Sequence, residues 1–525
     1  MTAQDNPPEG MAERELLLGD YEPKRSGLRK FLWVMLILVV SLSLAVLVTS
    51  FVLDYRGSSE LGAAYAAARA AGVPVNYSDP FYRKWDTQRP ASAAENAAVS
   101  YEKAFRLLAP VLPSPAAQKV PYLSETEFPD YPYQALPPDM VSSMRDLVWM
   151  SVEAFDLLHE GAKAPGCYFP IEWKGAYTEA AHLGKARSGA SLIAARIALD
   201  GEEGHSADAI EAIEDGLALA AAIGKEPMLI SQIVSTLMGD TVLSGATRFL
   251  ARTDPTNDEF VTLQNAFSSA AESLSLRPAL VGEIAMQQDT YDRFMRGELP
   301  IMFAAEDDGA NRAIRMPAVV RAVTWLVRGH IKSDRARCLE EMLKAVAVAE
   351  KPTPATISPS WAGWAGWYRS DRVSPFQISY MLLPSVHTPA HCENWRAKLL
   401  AAAASCAAMR YRNDTGHWPK DLDALVPEYL DAVPTDPFTG QPMVYRVDID
   451  GVMVYSVGRN LNDDLGRPGL LIRSKSFDEQ RWRLYDDAGF KVWKAAEGGR
   501  GRPDGAPSSG RGPGAGRPGS GDLPR

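Results

Sequence analysis

Residues 31–53 read FLWVMLILVVSLSLAVLVTSFVL, an apolar run without a charged residue. As a helix, these residues extend about 35 Å at 1.5 Å each, which exceeds the hydrocarbon thickness of a bilayer, about 30 Å. A cleaved signal peptide has a shorter apolar region, of about 7 to 15 residues, followed by small residues. Here Phe51, Val52 and Leu53 are followed by Asp54. The run therefore predicts one transmembrane helix that is retained as an anchor.

Basic residues around this run predict its orientation. Four precede it and two follow within a similar distance: Lys24, Arg25, Arg29 and Lys30, then Arg56 and Arg69. Because positive charge favours the cytoplasmic side, the N-terminus is expected inside the cell. We expect an inner-membrane protein with a disordered cytoplasmic tail at residues 1–30 and its bulk on the extracytoplasmic side.

The net charge limits the range of partners. The chain has 525 residues, 65 acidic and 55 basic, and a formal charge of -10. Binding to nucleic-acid phosphates requires a basic surface, so nucleic acid is not expected as a partner. The expected partners are the lipid bilayer and other proteins of the envelope.

The cysteines are far apart and form no C-x-x-C pair. They are Cys167, Cys338, Cys392 and Cys406. Two disulfides are compatible with an exported protein, but the sequence does not pair them. Isolated buried thiols are the simpler interpretation.

Residues 54–351 are expected to form an extracytoplasmic helical domain. Its first stretch, from Glu60 to Ala71, is Ala-rich and helix-prone. Between Lys185 and Gly224, two helices with apolar residues at helical spacing predict a hairpin. This hairpin resembles one unit of a tetratricopeptide-type or related α-solenoid, and no second copy follows at a fixed period.

Two segments of biased composition lie further along the chain. Residues 352–386 contain several prolines and the run WAGWAGWY at 361–368. This segment predicts a linker whose rings pack on their own domain, with contact to the membrane surface as the alternative. Residues 497–525 have almost no apolar side chain and predict a disordered tail.

Helix and hairpin signals follow the linker. Thr388-Pro389 opens a predicted helix that continues to Tyr411. Two β-prone runs, 443–447 and 452–457, are separated by a turn that contains Asp450-Gly451. This pattern predicts an antiparallel hairpin.

Four motifs in this region stand in a fixed order. They are YRNDTGHWP (411–419), LVPEYL (425–430), PTDPF (434–438) and YSVG (455–458). Taken in that order, they resemble the C-terminal domain of the major, G-type pseudopilins of type II secretion systems. The resemblance implies a small α+β domain at residues 387–496, in which a helix packs on an antiparallel sheet.

The resemblance also implies a metal site. The loop after the last strand of G-type pseudopilins binds calcium, and the matching positions here are Asn460, Asn462, Asp463 and Asp464. These side chains offer two carboxylates and two amides, and Ca²⁺ prefers oxygen donors. An Asx-rich turn that binds no ion has the same composition. Calcium is the one cofactor that the sequence suggests.

The membrane helix differs from that of a pseudopilin. A pseudopilin has a short leader that ends in Gly, and its membrane helix carries Glu at the fifth position and continues into the globular domain. Residues 31–53 contain no Glu, and more than three hundred residues separate them from the matching domain. These differences argue against assembly into a filament.

A histidine pair precedes the helix of this domain. His387 and His391 stand four residues apart, with Cys392 and Glu393 adjacent, a spacing that presents two zinc ligands on one helical face. Pro389 lies between them and marks the first helical turn, so a partly exposed helix start is the simpler interpretation.

No residue is predicted to be catalytic. Glu283, Asp289 and Asp292 lie in one predicted helix, and paired carboxylates serve acid–base catalysis when a cleft raises one pKa. A solvated helix face is expected instead. His159-Glu160 lacks the second His of a zinc-peptidase helix, and no G-x-S-x-G elbow occurs.

These observations predict a mainly α protein with an N-terminal transmembrane helix, a solenoid-like helical region and a small pseudopilin-like α+β domain. The expected function is that of a noncatalytic, membrane-anchored scaffold that acts through protein contacts. One alternative is an accessory component of a type II secretion or pilus-like system. A second is a hydrolase with an unrecognised site.

Overall fold

A computed structural model describes residues 25–76, 90, 92–129, 131–173, 178–299, 314–354, 388–449, 451–466 and 487–493. The aromatic run at 361–368, His387 and the predicted C-terminal tail lie outside these ranges. In the described part, the chain is mainly helical, as the sequence predicts, and has a small three-stranded sheet.

The helices and strands have the following bounds. The helices are α1 (Arg25–Ala70), α2 (Ala97–Leu108), α3 (Pro138–Met150), α4 (Val152–Lys163), α5 (Ala181–Glu203), α6 (Ser206–Gly224), α7 (Leu229–Arg252), α8 (Asn257–Ser273), α9 (Arg277–Met295), α10 (Ala318–Leu326), α11 (Arg328–Glu350) and α12 (Thr388–Thr415). The strands are β1 (Glu298–Leu299), β2 (Ile314–Arg315), β3 (Val444–Asp448), β4 (Gly451–Ser456) and β5 (Ala488–Trp493).

The predicted membrane helix is the central part of α1, which is 46 residues long. Among the described residues, α1 is the one helix long and apolar enough to cross a membrane, and its apolar window is not buried inside the protein. One predicted boundary is wrong, because residues 25–30 are helical rather than disordered. The helix-prone stretch from Glu60 is helical as predicted and lies in the same helix α1. No proline occurs between Asp54 and Val73, and Arg56 pairs with Glu60 one turn later, so nothing ends the helix at the apolar boundary.

Helices α5, α6 and α7 form the centre of the helical part. The first two are the predicted hairpin, and Gly204 follows α5 with φ +79°, a left-handed conformation that glycine adopts without strain. Helix α7 packs against both. Gly216 of α6 lies so close to Val242 and Ile193 that a Cβ there would overlap Val242. The three helices therefore pack at short distance through buried aliphatic side chains.

The C-terminal part consists of α12 and the sheet β3-β4-β5. Strands β3 and β4 pair antiparallel, with Val444 opposite Tyr455, which confirms the predicted hairpin. Strand β5 pairs antiparallel with the other edge of β4, with Phe490 opposite Val454. The sequence reasoning missed this strand. Helix α12 packs on β4 and β5, so a helix covers a small antiparallel sheet. Its kinship with the pseudopilin domain stays a prediction.

One hydrophobic core joins this part to the helical part. Helix α12 lies between α8 and the sheet, and its buried alanines let it approach both closely. The rings of Phe267 in α8 and Phe490 in β5 have their centroids 6.0 Å apart. Trp395 of α12 lies against Gly239 of α7, where a Cβ would overlap the indole. The predicted segments 54–351 and 387–496 therefore share an apolar interface.

A second cluster packs α1 and α9 against α11. Ala64 and Ala68 of α1 and Leu339 of α11 are buried in it. Lys332, near the start of α11, bonds to Asp54 of α1, and Arg335 lies over the ring of Tyr65, 5.6 Å from its centroid. Because contacts advance along both helices together, α11 runs in the same direction as α1.

Candidate functional site

The loop predicted to bind calcium follows β4 and is closed by its own hydrogen bonds. Asn460 Nδ2 donates to Asp464 Oδ2 at 2.8 Å, and the backbone N–H of Asn462 donates to Asn460 Oδ1 at 2.9 Å. Asp463 Oδ1 accepts from the hydroxyl of Tyr455 at 2.9 Å. The loop is thus an Asx-type turn anchored to the sheet, and its oxygens are engaged inside the protein.

A third carboxylate, that of Asp487, lies beside this loop. It precedes β5, is buried, and accepts the backbone N–H of Gly466 on Oδ2 at 2.7 Å. Its Oδ1 has no hydrogen-bond partner among the described residues. Burial, together with the nearby charges of Asp464 and Asp463, raises the pKa of Asp487 to about 6. The sequence reasoning missed Asp487 because only the pairing of β5 with β4 brings it to the loop.

The side chains of this loop offer oxygen donors, the type of ligand that binds a hard cation. Three carboxylates and two amides are the oxygen donors that Ca²⁺ uses, and Oδ1 of Asp487 is a buried oxygen that a cation would satisfy. In the described ranges, however, these carboxylates do not bring three ligand atoms within 4.8 Å of one another. Binding would require the side chains to rotate inward from their present hydrogen bonds. Calcium therefore remains a prediction.

Calcium has a direct thermal test. A ligand that binds only the folded state stabilises it, by about 2.7 kcal/mol at a concentration a hundred times its Kd. We expect a higher Tm in calcium than in chelator for the full chain, and no increment for Asp487→Asn or Asp463→Asn. Asp431→Asn, at an exposed position outside the loop, is the control. An identical Tm in calcium and chelator would remove the site.

Of the histidine pair considered for zinc, His387 lies outside the described residues, and the neighbouring His391, Cys392 and Glu393 are described. His391 is exposed in the first turn of α12, whereas Cys392 and Glu393 are buried. Cys392 faces Gln232 of α7, with Nε2 and Sγ 3.9 Å apart, and Glu393 pairs with Arg396 at 3.0 Å. These side chains point to different neighbours and form no common ligand set.

The carboxylates of α9 have separate partners. Asp289 pairs with Arg293 at 2.6 Å, and Asp292 pairs with Arg335 of α11 at 2.5 Å. Glu283 is half-buried rather than fully solvated, and desolvation raises the pKa of its carboxyl to about 7. A cavity of about 350 Å³ lies between α8, α11 and α12, but its lining includes neither Glu283 nor Asp289. This cavity therefore does not join the predicted carboxylates.

Glu283 predicts a pH dependence of stability. The pKa of Glu283 in the folded protein, about 7, is above its ordinary value of 4.5. The contribution of this group to the free energy of unfolding is therefore fully present below pH 4.5 and is lost as the pH rises through 7. Glu283→Gln should therefore raise the free energy of unfolding by about 2 kcal/mol at pH 8 and change it little at pH 5. Denaturant titrations at both pH values would show this. Asp289→Asn, which breaks a surface ion pair, is the control and should give no gain at pH 8. Equal stability of Glu283→Gln and the unaltered chain at pH 8 would contradict the assignment.

A cluster that the sequence reasoning did not find joins α4 to α6. His159 Nδ1 lies 3.0 Å from Asp215 Oδ1, and its Nε2 lies 3.7 Å from Glu211 Oε2. Burial raises the pKa of Asp215, and the hydrogen bond from His159 opposes that rise. The two ring nitrogens face different carboxylates, so the imidazole bridges them rather than aiming one nitrogen at a shared ion. The spacing of Glu211 and Asp215, one helical turn apart, was the available signal.

A second histidine network lies at the start of α5. His182 Nε2 lies 2.7 Å from Glu226 Oε1, and Ser231 Oγ donates to Glu226 Oε2 at 2.6 Å. Phe169 stacks on the imidazole at 4.4 Å. The carboxylate stands between the serine and the histidine, so the imidazole is not positioned to deprotonate Ser231. This order is that of a buried structural network and not of a hydrolase triad.

All four cysteines are free thiols, which confirms the simpler interpretation. Three are buried, and Cys167 is half-buried. Burial raises the pKa of Cys167 and of Cys392 to about 12. Because the thiolate is the reactive form, these side chains are poor nucleophiles.

A group of ion pairs and hydrogen bonds joins α1 to the start of α11 at the end of the apolar run. Asp54 of α1 pairs with Lys332 at 2.8 Å and with Arg328 at 3.1 Å. Ser50 Oγ donates to the carbonyl of Leu326 at 2.7 Å. We call the contacts of these five residues the anchor junction. They connect the last turn of the apolar run directly to the body of the protein.

Two glycines set the helix spacing at this junction. A Cβ on Gly329 would overlap the backbone of Leu53 and Asp54, and a Cβ on Gly57 would overlap the carbonyl oxygen of Gly329. Only glycine permits this approach, because any side chain would meet main-chain atoms.

Comparison of the chain with protein families, with curated proteins and with solved structures gives no match.

Proposed function

We propose that the protein is a noncatalytic, membrane-anchored envelope protein whose extracytoplasmic body serves as a scaffold for other proteins. One observation carries the proposal: the apolar segment 31–53 continues as the same helix into the body. Large side chains of this segment, such as Leu42 and Leu44, are exposed, and no other part of the described chain covers them. A bilayer supplies the apolar surroundings that such side chains require.

Two further features support a scaffold. The described titratable clusters are engaged in hydrogen bonds or ion pairs within the protein, as at His182 and at Asp292. Helix α7 also carries three exposed aliphatic side chains on one face, at Ile230, Ile233 and Leu237. Exposed apolar side chains at this spacing form a stripe suited to protein contacts.

The proposal is tested in two steps. Fractionation of cells should recover the full chain in the inner membrane after alkaline extraction, with a C-terminal tag accessible to protease only from the extracytoplasmic side. A chain released by alkali, or one protected from that side, would contradict the anchor or its orientation.

Crosslinking and affinity capture from the native envelope then test the scaffold. Partners captured by the unaltered chain should be lost from the variant Ile230→Lys/Leu237→Lys and kept by Glu340→Lys, a change at an exposed position of α11. Capture of secretion or pilus components would favour the alternative of an accessory component of such a system, for which the pseudopilin-like motifs are the support. Capture of no protein by the unaltered chain would contradict the scaffold.

A further inference from the structure

Helix α10 is amphipathic, and its apolar side is exposed. At 100° per residue, Ala318, Val319, Ala322, Val323 and Leu326 share one side, whereas Arg321 and Thr324 share the other. Val319 lies near the centre of the apolar side and is 75% exposed. Ala318, Ala322 and Val323 on the same side are also exposed, and Leu326, at its C-terminal end, is half-buried.

Both ends of α10 are held at the end of the body where α1 leaves it. At its C-terminus, the carbonyl of Leu326 accepts from Ser50, and Trp325 contacts Phe51 edge to face, with centroids 6.3 Å apart. Ser50 and Phe51 belong to the last turn of the apolar run. This end of α10 therefore lies at the boundary of the predicted hydrocarbon layer.

The other end of α10 lies at the same end of the body. The backbone N–H of Met316 donates to the carbonyl of Gly297, which follows α9, at 2.8 Å. Helix α9 runs antiparallel to α11, because its Tyr291 bonds to Asp334 and its Gln287 to Cys338. The end of α9 thus lies beside the start of α11, close to the anchor junction. Helix α10 therefore crosses the base of the body.

The sequence around α10 is rich in basic side chains, two of which, Arg328 and Lys332, pair with Asp54 of α1. From Ile314 to Ser333 the sequence has four Lys or Arg and no Asp or Glu. Arg315 and Arg321 are exposed, and Arg328 lies over the indole of Trp325, 4.2 Å from its centroid. Basic and tryptophan side chains beside an apolar helix face match the phosphate and carbonyl layer of a lipid surface.

We propose that α10 is an interfacial helix that inserts its apolar side into the outer surface of the same bilayer that α1 spans. The inference rests on the proposed membrane anchoring and adds a second lipid contact to it. Its Val and Leu side chains enter the boundary between headgroups and acyl chains, and its basic flank meets lipid phosphates. The bilayer, and not another protein, covers this face because the face is continuous with the exposed surface of α1.

Spin-label accessibility in vesicles tests this placement. The full chain, with a nitroxide on Val319→Cys, is reconstituted into phosphatidylcholine vesicles that contain about one third phosphatidylglycerol. Collisions of the label with oxygen and with a water-soluble nickel chelate are then compared. Glu340→Cys is the water-side control, because Glu340 is exposed on α11, about 18 Å beyond Arg328 along that helix. Leu42→Cys, in the middle of the apolar run, is the bilayer reference. The native thiols are largely buried. The unaltered chain, treated with the same nitroxide reagent, measures the background signal from labelling at these thiols.

The expected result is an oxygen-to-nickel collision ratio several-fold higher at Val319→Cys than at Glu340→Cys. A ratio at Val319→Cys equal to that at Glu340→Cys, with Leu42→Cys still in the bilayer, would overturn the interfacial helix alone. Spin–spin broadening at Val319→Cys would also overturn it, because a second copy would then cover this face. A water-like ratio at Leu42→Cys would overturn the membrane anchor itself, so the two failures are distinguishable.

Discussion

Replacing Gly329 with alanine should lower the free energy of unfolding by about 2 to 3 kcal/mol. The new Cβ would overlap the backbone of Leu53 and Asp54, and main-chain atoms of a helix cannot move aside singly. Separation of α11 from α1 would lengthen the ion pairs of the anchor junction and loosen the cluster that contains Leu339. Denaturant unfolding of the full chain in detergent, followed by circular dichroism, measures the loss.

The chain offers a matched control for this substitution. Gly62 also lies in α1, but a Cβ there meets no atom within 4 Å. Gly62→Ala should raise the free energy of unfolding by about 0.5 to 1 kcal/mol, because alanine restricts the unfolded chain and favours a helix. Gly57→Ala should resemble Gly329→Ala, since both glycines lie at the same contact. Equal stability of Gly329→Ala and Gly62→Ala would contradict the close packing.

Replacing Asp436 with alanine should lower the free energy of unfolding by about 3 kcal/mol. Its side chain is 1% exposed and accepts three hydrogen bonds, one within the PTDPF turn and two that tie the turn to the end of β4. Oδ1 accepts from the N–H of Phe438 and from the hydroxyl of Ser456, both at 2.8 Å, and Oδ2 accepts from the N–H of Val457 at 3.0 Å. Alanine leaves all three donors without an acceptor inside the protein, where water does not replace it.

Two variants separate this role from a general effect of lost charge. Asp436→Asn keeps one acceptor oxygen and should lose about half as much stability. Asp431→Ala removes a carboxylate from an exposed site nearby and should change the free energy of unfolding by less than about 0.5 kcal/mol. Thermal unfolding of the three variants ranks them. If Asp436→Ala were as stable as Asp431→Ala, the buried network would have no role in stability.

Features governed by local sequence were predictable. The apolar run 31–53 lies in a helix, and α5 and α6 form the hairpin predicted between Lys185 and Gly224. The predicted hairpin is formed by β3 and β4, which pair from Val444–Tyr455 to Asp448–Gly451. In each case a few consecutive residues determine the conformation, so a single sequence contains the signal.

Features governed by tertiary contacts were not predictable. Strand β5 pairs with β4 across a long stretch of chain, and Asp487 reaches the calcium-type loop only through that pairing. Glu283 is predicted to be solvated from its helix alone, yet packing of α9 leaves it half-buried and raises its pKa. The acidic pair Glu211 and Asp215 has a helical spacing, but nothing local connects it to His159. These contacts depend on which helix faces become neighbours, and one sequence does not contain that information.

The uninterrupted course of α1 has a mechanical consequence. A body joined to its membrane segment by a flexible linker samples many orientations and heights above the bilayer. Helix α1 instead extends about 26 Å from Asp54 to Ala70 as one rod, and α11 braces it from its first turn. The α7 stripe is therefore presented at a nearly constant height and direction. A partner confined to the same membrane loses less rotational freedom when it docks there than a freely diffusing partner would.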